Sequence, residues 1–258
     1  MSSETQPALP LKRRILLVSN LIAPALLIGL GAPWWTLVLA AFVHGLFIYA
    51  VAKPGCAFFG PVVTRFETDE RALWLTIDDG PDGENTVTLS RELERRGVRA
   101  TFFVIGERLS RQLDMARTLQ DAGHTLANHT HTHPARIFWC LWPSRLRDEI
   151  TRCNEVLAAA GVSVRRWFRP PVGLKHTRLH PLLARLGMRL VCWNVRARDG
   201  IETAPEVVLQ RVMNGVAPGA IVVLHEGRTR SNETILRVVD ELLRHGYSFV
   251  IPDDAQLR

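Results

Sequence analysis

From Phe66 onward, short runs rich in β-branched and aromatic residues alternate with amphipathic segments, and this alternation constrains the fold more than any other feature. The predicted strands are Leu73–Ile77, Ala100–Ile105, Thr125–Ala127, Arg166–Phe168, Leu190–Trp193, Ala220–Leu224 and Ser248–Ile251. The predicted helices are Glu84–Arg96, Ser110–Ala122, Pro143–Ala160, Thr177–Leu186, Pro205–Asn214 and Ser231–His245. Strands that alternate with helices form parallel sheets with crossover helices. About seven such repeats predict an α/β fold, a distorted (β/α) barrel rather than an open sheet, with its chemistry at the C-terminal strand ends.

The N-terminal part of the chain predicts a membrane anchor. Residues 1–14 form a polar tail that ends in three basic residues, whereas residues 15–52 contain no Lys, Arg, Asp or Glu. This apolar stretch divides at Gly31-Ala32-Pro33, and its second run, Trp34 to Ala52, is close to the ~20 residues that a spanning helix requires. The pattern predicts one or two transmembrane helices, and we favour two that form a hairpin. A cleaved signal peptide is the alternative, but it leaves the second run unexplained.

Charge predicts the side of the membrane on which the main domain lies. The basic cluster Lys12-Arg13-Arg14 is expected to stay in the cytoplasm, because the cytoplasmic flanks of membrane helices are enriched in Lys and Arg. Two spans then return the chain, through a linker at residues 53–65, to the cytoplasmic face of the inner membrane. The main domain, residues 66–258, is therefore predicted on that face, and a single span would place it on the opposite one.

Charge and cysteine usage argue against two other classes of protein. The formal net charge is +7, but residues 1–65 hold five basic residues against one acidic residue. No basic stripe or arginine run appears in residues 66–258, so nucleic acid is not a predicted partner. The four cysteines show no CxxC spacing, which predicts individual thiols rather than a disulfide framework.

Two adjacent carboxylates end the first predicted strand. The apolar run Leu73–Ile77 leads directly into Asp78 and Asp79, and Gly80-Pro81 then stops the strand. Neighbouring side chains on an extended backbone point to opposite sides, so one acid can bind a metal while the other faces a substrate. Burying such a pair is costly unless a cation or hydrogen bonds compensate, and a solvated turn is the alternative interpretation.

A histidine-rich segment, Gly123–Pro134, offers the ligands that a metal would need. His129 and His133 are four residues apart, so a helical turn would place both on one face, whereas His131 would project elsewhere. Two imidazoles and a carboxylate make a facial set that leaves positions open for water and substrate. Such a set favours Zn²⁺, with Co²⁺, Ni²⁺ or Mn²⁺ as alternatives.

Five segments in this order resemble the motifs of the polysaccharide deacetylase family (NodB-homology domain, carbohydrate esterase family 4). They are Thr76–Pro81, Asn128-His129 through His133-Pro134, Arg169–Gly173, Trp193 with Asp199, and Val223–His225. The resemblance covers residues 66–258 and leaves out the membrane segment. It implies a metal-dependent hydrolase that removes an N-acyl group, acetyl or formyl, from an amino sugar.

The resemblance also implies a role for each matched residue. Asp78 would be the general base for the attacking water, and Arg169 would pair with it and fix its direction. His225 would be the general acid that protonates the departing amine, and Asp199 would orient it. The implied metal ligands are Asp79, His129 and His133. The implied substrate and oxyanion contacts are Pro171, Val172, Trp193 and Leu224, with a backbone N–H near Val172 as the oxyanion donor.

Three positions depart from the pattern of that family. Val172 stands where an aromatic residue is usual, Arg196 where an acid is common, and Gly200 where a tryptophan is common. These departures predict a substrate pocket unlike that of enzymes that act on long glycans. A further segment, Phe138–Trp142, is unusually aromatic for a loop and predicts either core packing or insertion into the bilayer interface.

Several functions remain open on this reading. The predicted membrane anchor and cytoplasmic face favour a polyprenyl-linked sugar or another glycolipid precursor as the substrate. A periplasmic domain would favour peptidoglycan or an exported polysaccharide instead. A barrel that binds glycans or glycolipids without turnover is an alternative from another class. A phosphoesterase would share the metal set but is expected to surround it with more Lys and Arg.

Overall fold

A parallel sheet of eight strands with helices packed around it forms the body of the protein. The computed structural model describes residues 29–31, 33–201 and 204–258. The strands are β1 Ala72–Asp78, β2 Ala100–Val104, β3 Thr125–Asn128, β4 Val164–Phe168, β5 Arg189–Leu190, β6 Val195–Arg196, β7 Ala220–His225 and β8 Ser248–Phe249. The helices are α1 Trp34–Ala52, α2 Glu84–Arg95, α3 Gly106–Ser110, α4 Asp114–Asp121, α5 Pro143–Ala159, α6 Leu179–Arg185, α7 Pro205–Gly215 and α8 Ser231–Arg244. Short 3₁₀ turns lie at Phe138–Cys140, Pro171–Gly173 and Asp254–Gln256.

The strand order is β5-β4-β3-β2-β1-β7-β6, and β8 pairs with the start of β1. Every ladder between these named strands is parallel. The seven strands of the main path make a half-barrel, which confirms the predicted α/β barrel class. The register places Asp78 opposite Phe103 on one side and His225 on the other. The two polar ends of β1 and β7 therefore meet at one edge of the sheet.

Several observed elements differ from the predicted ones. The helix predicted over Ser110–Ala122 is observed as α4, which begins later, at Asp114, and Ser110 instead ends the separate short helix α3. The strand predicted over Leu190–Trp193 ends at Leu190, because the chain beyond it bonds to the linker: the Cys192 N–H donates to the Val63 carbonyl at 2.8 Å. The two-residue strand β6 was not predicted, since two residues are too few to show a period.

The sheet separates two hydrophobic cores. Alternate residues of β1 point to opposite faces: Leu73, Leu75 and Ile77 pack against the surrounding helices, whereas Trp74 faces the interior of the half-barrel. There the Trp74 ring lies 4.7 Å from that of Trp167. Because Asp78 has the same parity as Trp74, its carboxylate points into the half-barrel.

Helix α1 confirms the second apolar run as a helix, whereas the first run, the other half of the predicted hairpin, lies outside the described residues. Among the described residues, α1 alone has the length and composition that would allow it to cross a membrane. Most of its side chains are exposed, but Ala50 and Val51 at its C-terminal end are buried against Phe59. The helix is therefore attached to the domain at one end only.

Candidate active site

The base predicted from the sequence, Asp78, lies at the end of β1 and is bound by an arginine from the neighbouring part of the half-barrel. Arg169 follows β4, and its Nη1 donates to Asp78 Oδ1 at 2.7 Å. Both side chains are almost completely buried. With Oδ1 occupied, Oδ2 is the oxygen of Asp78 that faces the metal set, 3.9 Å from His129 Nε2. Such a charge-assisted bond fixes the direction of the carboxylate.

The guanidinium of Arg169 is satisfied on every side, which is why it can be fully buried. It also donates to Thr76 Oγ1 at 2.8 Å, to the Val191 carbonyl at 3.1 Å and to the Cys192 carbonyl at 3.0 Å. Its plane lies 4.0 Å from the ring centroid of Phe103. A buried cation needs such partners, because desolvation otherwise costs several kcal/mol.

The three predicted metal ligands come together at this edge of the sheet. Asp79 Oδ1 lies 3.4 Å from His129 Nε2 and 3.2 Å from His133 Nε2. The three ligand atoms all lie within 4.8 Å of one another. The predicted helical turn was wrong: residues 129–133 form a loop in which Thr130 and His133 have positive φ. The loop brings the two imidazole rings within 4.9 Å by irregular backbone instead.

The donors of this set fit a divalent cation. The carbonyl of Arg169 lies 2.8 Å from His129 Nδ1, so that nitrogen carries the proton and Nε2 offers its lone pair toward Asp79. Asp79 Oδ1 is buried and has no hydrogen-bond partner among the described residues. Burial and the neighbouring His129 lower the pKa of His133 to about 4, which keeps its imidazole in the neutral form that binds metals.

The charge of Asp79 is maintained despite its burial. Burial acts to raise its pKa, but the neighbouring imidazoles, His129 first, hold the pKa well below its ordinary value. Two arginines that the sequence analysis missed also bind this residue. Arg228 Nη2 donates to Asp79 Oδ2 at 3.0 Å, and Arg108 Nη1 donates to its carbonyl at 2.7 Å. The only sequence signal for Arg228 as a site residue was its position three residues after His225.

His225 and Asp199 form the second polar pair of the site. Asp199 Oδ1 lies 2.8 Å from His225 Nδ1, and Asp199 Oδ2 accepts a hydrogen bond from the backbone N–H of His225 at 2.6 Å. Burial acts to lower the pKa of His225, but the hydrogen bond and charge of Asp199, with the charges of Asp78 and Asp79, raise it to about 9. The imidazole is therefore protonated at neutral pH and can donate a proton.

A buried carboxyl group beside this pair was also missed. Glu226 is buried, and burial raises its pKa to about 7. Its Oε2 accepts a short hydrogen bond from Thr86, whereas Oε1 has no partner among the described residues. A Cβ on Gly80 would lie 1.5 Å from Glu226 Oε1, so a side chain there would force Glu226 to move. This contact explains the glycine after the acid pair.

The predicted substrate contacts divide into two groups. Pro171 is buried, Val172 is 44% exposed with φ 57°, and Trp193 is buried with its ring 5.5 Å from the Arg169 guanidinium. Trp193 thus lies beside the arginine that binds Asp78, and Pro171 and Val172 follow that arginine in the chain. Leu224, by contrast, is fully buried in the core between sheet and helices. Its side chain is turned away from the interior because it alternates with Val223 along β7. The expected contact of the Leu224 side chain with substrate was therefore wrong.

The two departures after Trp193 shape the same mouth. Arg196 lies over the Trp193 ring, with its guanidinium carbon 5.7 Å from the ring centroid. A Cβ on Gly200 would meet no heavy atom within 4 Å among the described residues. Arg196 therefore adds a cation beside Trp193, and a side chain at position 200 would have space among the described residues.

The remaining histidine and the aromatic segment take separate positions. His131 is buried, lies outside the metal set and has its backbone N–H bound to Glu149 Oε2 at 3.1 Å. In the aromatic segment, Phe138 is fully buried, whereas Trp139 and Trp142 are 43% and 81% exposed. The segment therefore contributes one side to the core and the other to the surface.

The fold and the site define a class: parallel half-barrels with an aspartate and two histidines grouped at the C-terminal strand ends. A model of the family described as "Polysaccharide deacetylase" matches residues 65–191. The chitooligosaccharide deacetylase of Bradyrhizobium sp. (strain ANU 289) is 34% identical over 158 residues, which is 61% of this chain and 71% of that protein. The chain belongs to the polysaccharide deacetylase family.

Solved structures of family 4 carbohydrate esterases are also similar. The enzyme from Streptomyces lividans, in complex with acetate, is 28% identical with a TM-score of 0.66, and the match covers 74% of this chain and 97% of that one. A pseudoenzyme of this family from Bacillus anthracis is 29% identical with a TM-score of 0.66, covering 73% of this chain and 66% of that one. The same fold thus occurs in a protein described as a pseudoenzyme.

Proposed function

We propose that the protein is a metal-dependent hydrolase that removes an N-acyl group, acetyl or formyl, from an amino sugar. One observation carries the proposal: three metal-binding donors lie beside an oriented carboxylate, Asp78, and the strand next to that of Asp78 ends in an imidazole, His225, that is paired with Asp199. A base and an acid with separate environments are what amide hydrolysis requires. Similarity to the chitooligosaccharide and peptidoglycan deacetylases supports a carbohydrate substrate.

The first half of the reaction uses Asp78 as the general base. A divalent cation held by Asp79, His129 and His133 would polarise the acyl oxygen and lower the pKa of water. Asp78 Oδ2, left free by the bond from Arg169 to Oδ1, accepts the proton of the water that attacks the acyl carbon. A backbone N–H near Val172 would donate to the developing oxyanion.

The second half of the reaction uses His225 as the general acid. The leaving amine needs a proton as the bond between carbon and nitrogen breaks, and the imidazolium of His225 supplies it. Asp199 holds Nδ1, so Nε2 is the nitrogen that donates. The pKa of about 9 keeps the acid protonated at neutral pH.

The substrate that we propose is a lipid-linked amino sugar, such as a polyprenyl-linked sugar or another glycolipid precursor. The apolar helix α1 supports attachment to the inner membrane, and the basic N-terminal cluster supports the cytoplasmic face. A reporter fused after Arg258 tests the side of the membrane. Activity of that reporter in the periplasm would make peptidoglycan or exported polysaccharide the better substrate.

Metal binding is the first measurable prediction. Replacing His133 by alanine is expected to weaken Zn²⁺ binding by well over 100-fold, because loss of a residue that merely supports a ligand already costs about 10–100-fold. Calorimetric titration of metal-free protein with Zn²⁺, Co²⁺, Ni²⁺ and Mn²⁺ measures this and ranks the metals. His131→Asn is the matched control, since His131 lies in the same loop outside the set. Equal loss in both variants would contradict the assignment.

The pH profile tests the role of the acid. His225 must be protonated to donate, so kcat is expected to fall as the pH rises through about 9. In Asp199→Asn the imidazolium loses its largest stabilising partner, so its pKa moves down toward the ordinary value of about 6.5. The alkaline limb of the kcat profile should shift to lower pH by the same amount. An unshifted limb would exclude His225 as the titrating acid.

The function itself is tested by mass spectrometry of lipid-linked sugars from cells with wild-type protein or with Asp78→Asn. A mass difference of one acyl group between the two samples would identify both the substrate and the reaction. Purified wild-type protein that binds metal and sugar but hydrolyses no acylamino sugar would instead favour a glycan-binding barrel.

A further inference from the structure

The C-terminal end of α1 is bound by a buried lysine from the loop beside the site. The backbone N–H of Lys175 donates to the Val51 carbonyl at 3.0 Å. Its ammonium donates to the Lys53 carbonyl and, at 3.1 Å, to the Pro54 carbonyl. The last carbonyls of a helix have no partner within the helix, and a cation there is favourable. Lys175 therefore terminates the apolar helix.

This lysine makes α1 and its linker part of the folded domain. The Lys175 side chain is fully buried, and burial lowers its pKa. A buried ammonium is costly unless it is hydrogen-bonded. The side-chain bonds that the structure gives it go to residues 53 and 54, so removal of the chain through Pro54 would take away both acceptors. The contact favours a retained anchor over a cleaved leader.

The same contact places the end of the anchor against the wall of the site. Gly173, with φ +75°, is enclosed so tightly that a Cβ there would lie 2.8 Å from Pro54 and 2.9 Å from Trp193. Leu174 packs against the cluster of Ala50, Val51 and Phe59 at the end of α1. Gly173 thus separates Pro54 of the linker from the Trp193 ring, and half-exposed Val172 is the residue before Gly173.

A second bond connects the aromatic segment to this loop. His176 Nε2 lies 2.9 Å from the Leu141 carbonyl, and both residues are buried. Outside this attachment, Ile137, Trp139 and Trp142 expose 54%, 43% and 81% of their surfaces. Tryptophan favours the boundary between lipid headgroups and acyl chains, where its apolar ring and its N–H both find partners.

We propose that Ile137, Trp139, Trp142 and Val172, beside the end of α1, form a membrane-facing surface that rests on the lipid bilayer. The continuity of this surface with the anchor helix identifies the bilayer as its occupant. The mouth of the active site then opens at the headgroup layer, where a sugar on a lipid carrier is presented. The surface is inferred from these contacts and exposures, whereas the identity of the reaction rests on the proposed function.

The natural thiol Cys140 allows the surface to be tested without turnover. Cys140 is exposed between the two tryptophans, Cys153 and Cys192 are buried, and Cys56→Ser removes the remaining half-buried thiol. The full chain is inserted into vesicles of phosphatidylethanolamine and phosphatidylglycerol and labelled with a nitroxide. Power saturation with oxygen and with a water-soluble nickel chelate then reports the depth of the label.

The expected result is a nitroxide at Cys140 that oxygen relaxes more strongly than the nickel chelate does. The control label is placed by Asp121→Cys, with Cys140→Ser and Cys56→Ser, because exposed Asp121 precedes β3 and lies toward the N-terminal strand ends. That label should behave as in water. A nitroxide at Cys140 as accessible to the nickel chelate as the one at residue 121 would overturn the proposal.

A kinetic test uses Trp139→Ser with Trp142→Ser. On N-acetylglucosamine linked to diacylglycerol in the same vesicles, kcat/KM is expected to fall about tenfold, which corresponds to about 1.4 kcal/mol. On water-soluble tetra-N-acetylchitotetraose it should stay unchanged. Equal loss on both substrates would contradict the membrane-facing surface. Wild-type protein inactive on both would count against the proposed function, and the nitroxide measurement would still decide the surface.

Discussion

Replacing Asp78 by asparagine is expected to lower kcat about 10²–10⁴-fold, the range that a positioned general base contributes. Asparagine keeps the size of the side chain but cannot accept the proton of the attacking water. Asp78 is not one of the three grouped ligands, so Zn²⁺ affinity is expected to stay near that of wild type. Deacylation is measured by released acetate or formate, and metal binding by calorimetry.

The matched control for that variant is Asp69→Asn, which changes an exposed aspartate on the surface before β1. It should keep full activity and full metal affinity. Asp78→Asn protein with more than about a tenth of wild-type kcat would remove Asp78 from the role of base. Loss of metal together with activity would instead make Asp78 a ligand.

Replacing Arg169 by methionine is expected to cost about 3–5 kcal/mol of unfolding free energy, because it breaks a buried ion pair at one partner. The variant leaves the buried carboxylate of Asp78 without its cation, and the Val191 and Cys192 carbonyls without their donors. Denaturant unfolding of the detergent-solubilised protein measures the loss. The same change should lower kcat, since nothing then directs Asp78 Oδ2 toward the substrate.

A double-variant cycle separates the contribution of the Asp78–Arg169 ion pair to stability from that of the other Arg169 contacts. Asp78→Asn in the Arg169→Met background removes the uncompensated charge, so part of the stability should return without any return of activity. Arg166→Met, on the exposed side of the same strand, is the control and should change stability by no more than about 0.5 kcal/mol. If Arg166→Met destabilised the protein as much as Arg169→Met does, the loss at Arg169 could not be assigned to its buried ion pair.

The fold was predictable because its signals are local. Apolar runs of strand length and amphipathic helical segments show their periods within a few residues. The five motifs then predicted which segments carry the site residues. The boundaries that failed are those set by distant contacts. Strand β5 ends early because the backbone after it bonds to Val63 instead of continuing the ladder with β4. Residues 195 and 196 form a strand, β6, only because they pair with β7.

The site was predictable only as a set of residue types. Spacing suggested that His129 and His133 share a helical face, but the structure brings them together through a loop. Arg228 and Glu226 were missed because their significance lies in contacts with Asp79 and Gly80, about 150 residues away in sequence. Leu224 was misassigned because a motif identifies a segment, whereas the pleat of the strand decides which side chain faces inward.

Arg169 acts on the site through two different parts. Its backbone carbonyl orients the imidazole of His129, and its side chain directs the carboxylate of Asp78. A substitution at this position changes the second action and keeps the first, because every residue has the carbonyl. One substitution can thus take away the contact that directs Asp78, while the contact that orients His129 stays in place. A protein with that change would keep the backbone half of the arrangement without its side-chain half, at a cost in stability.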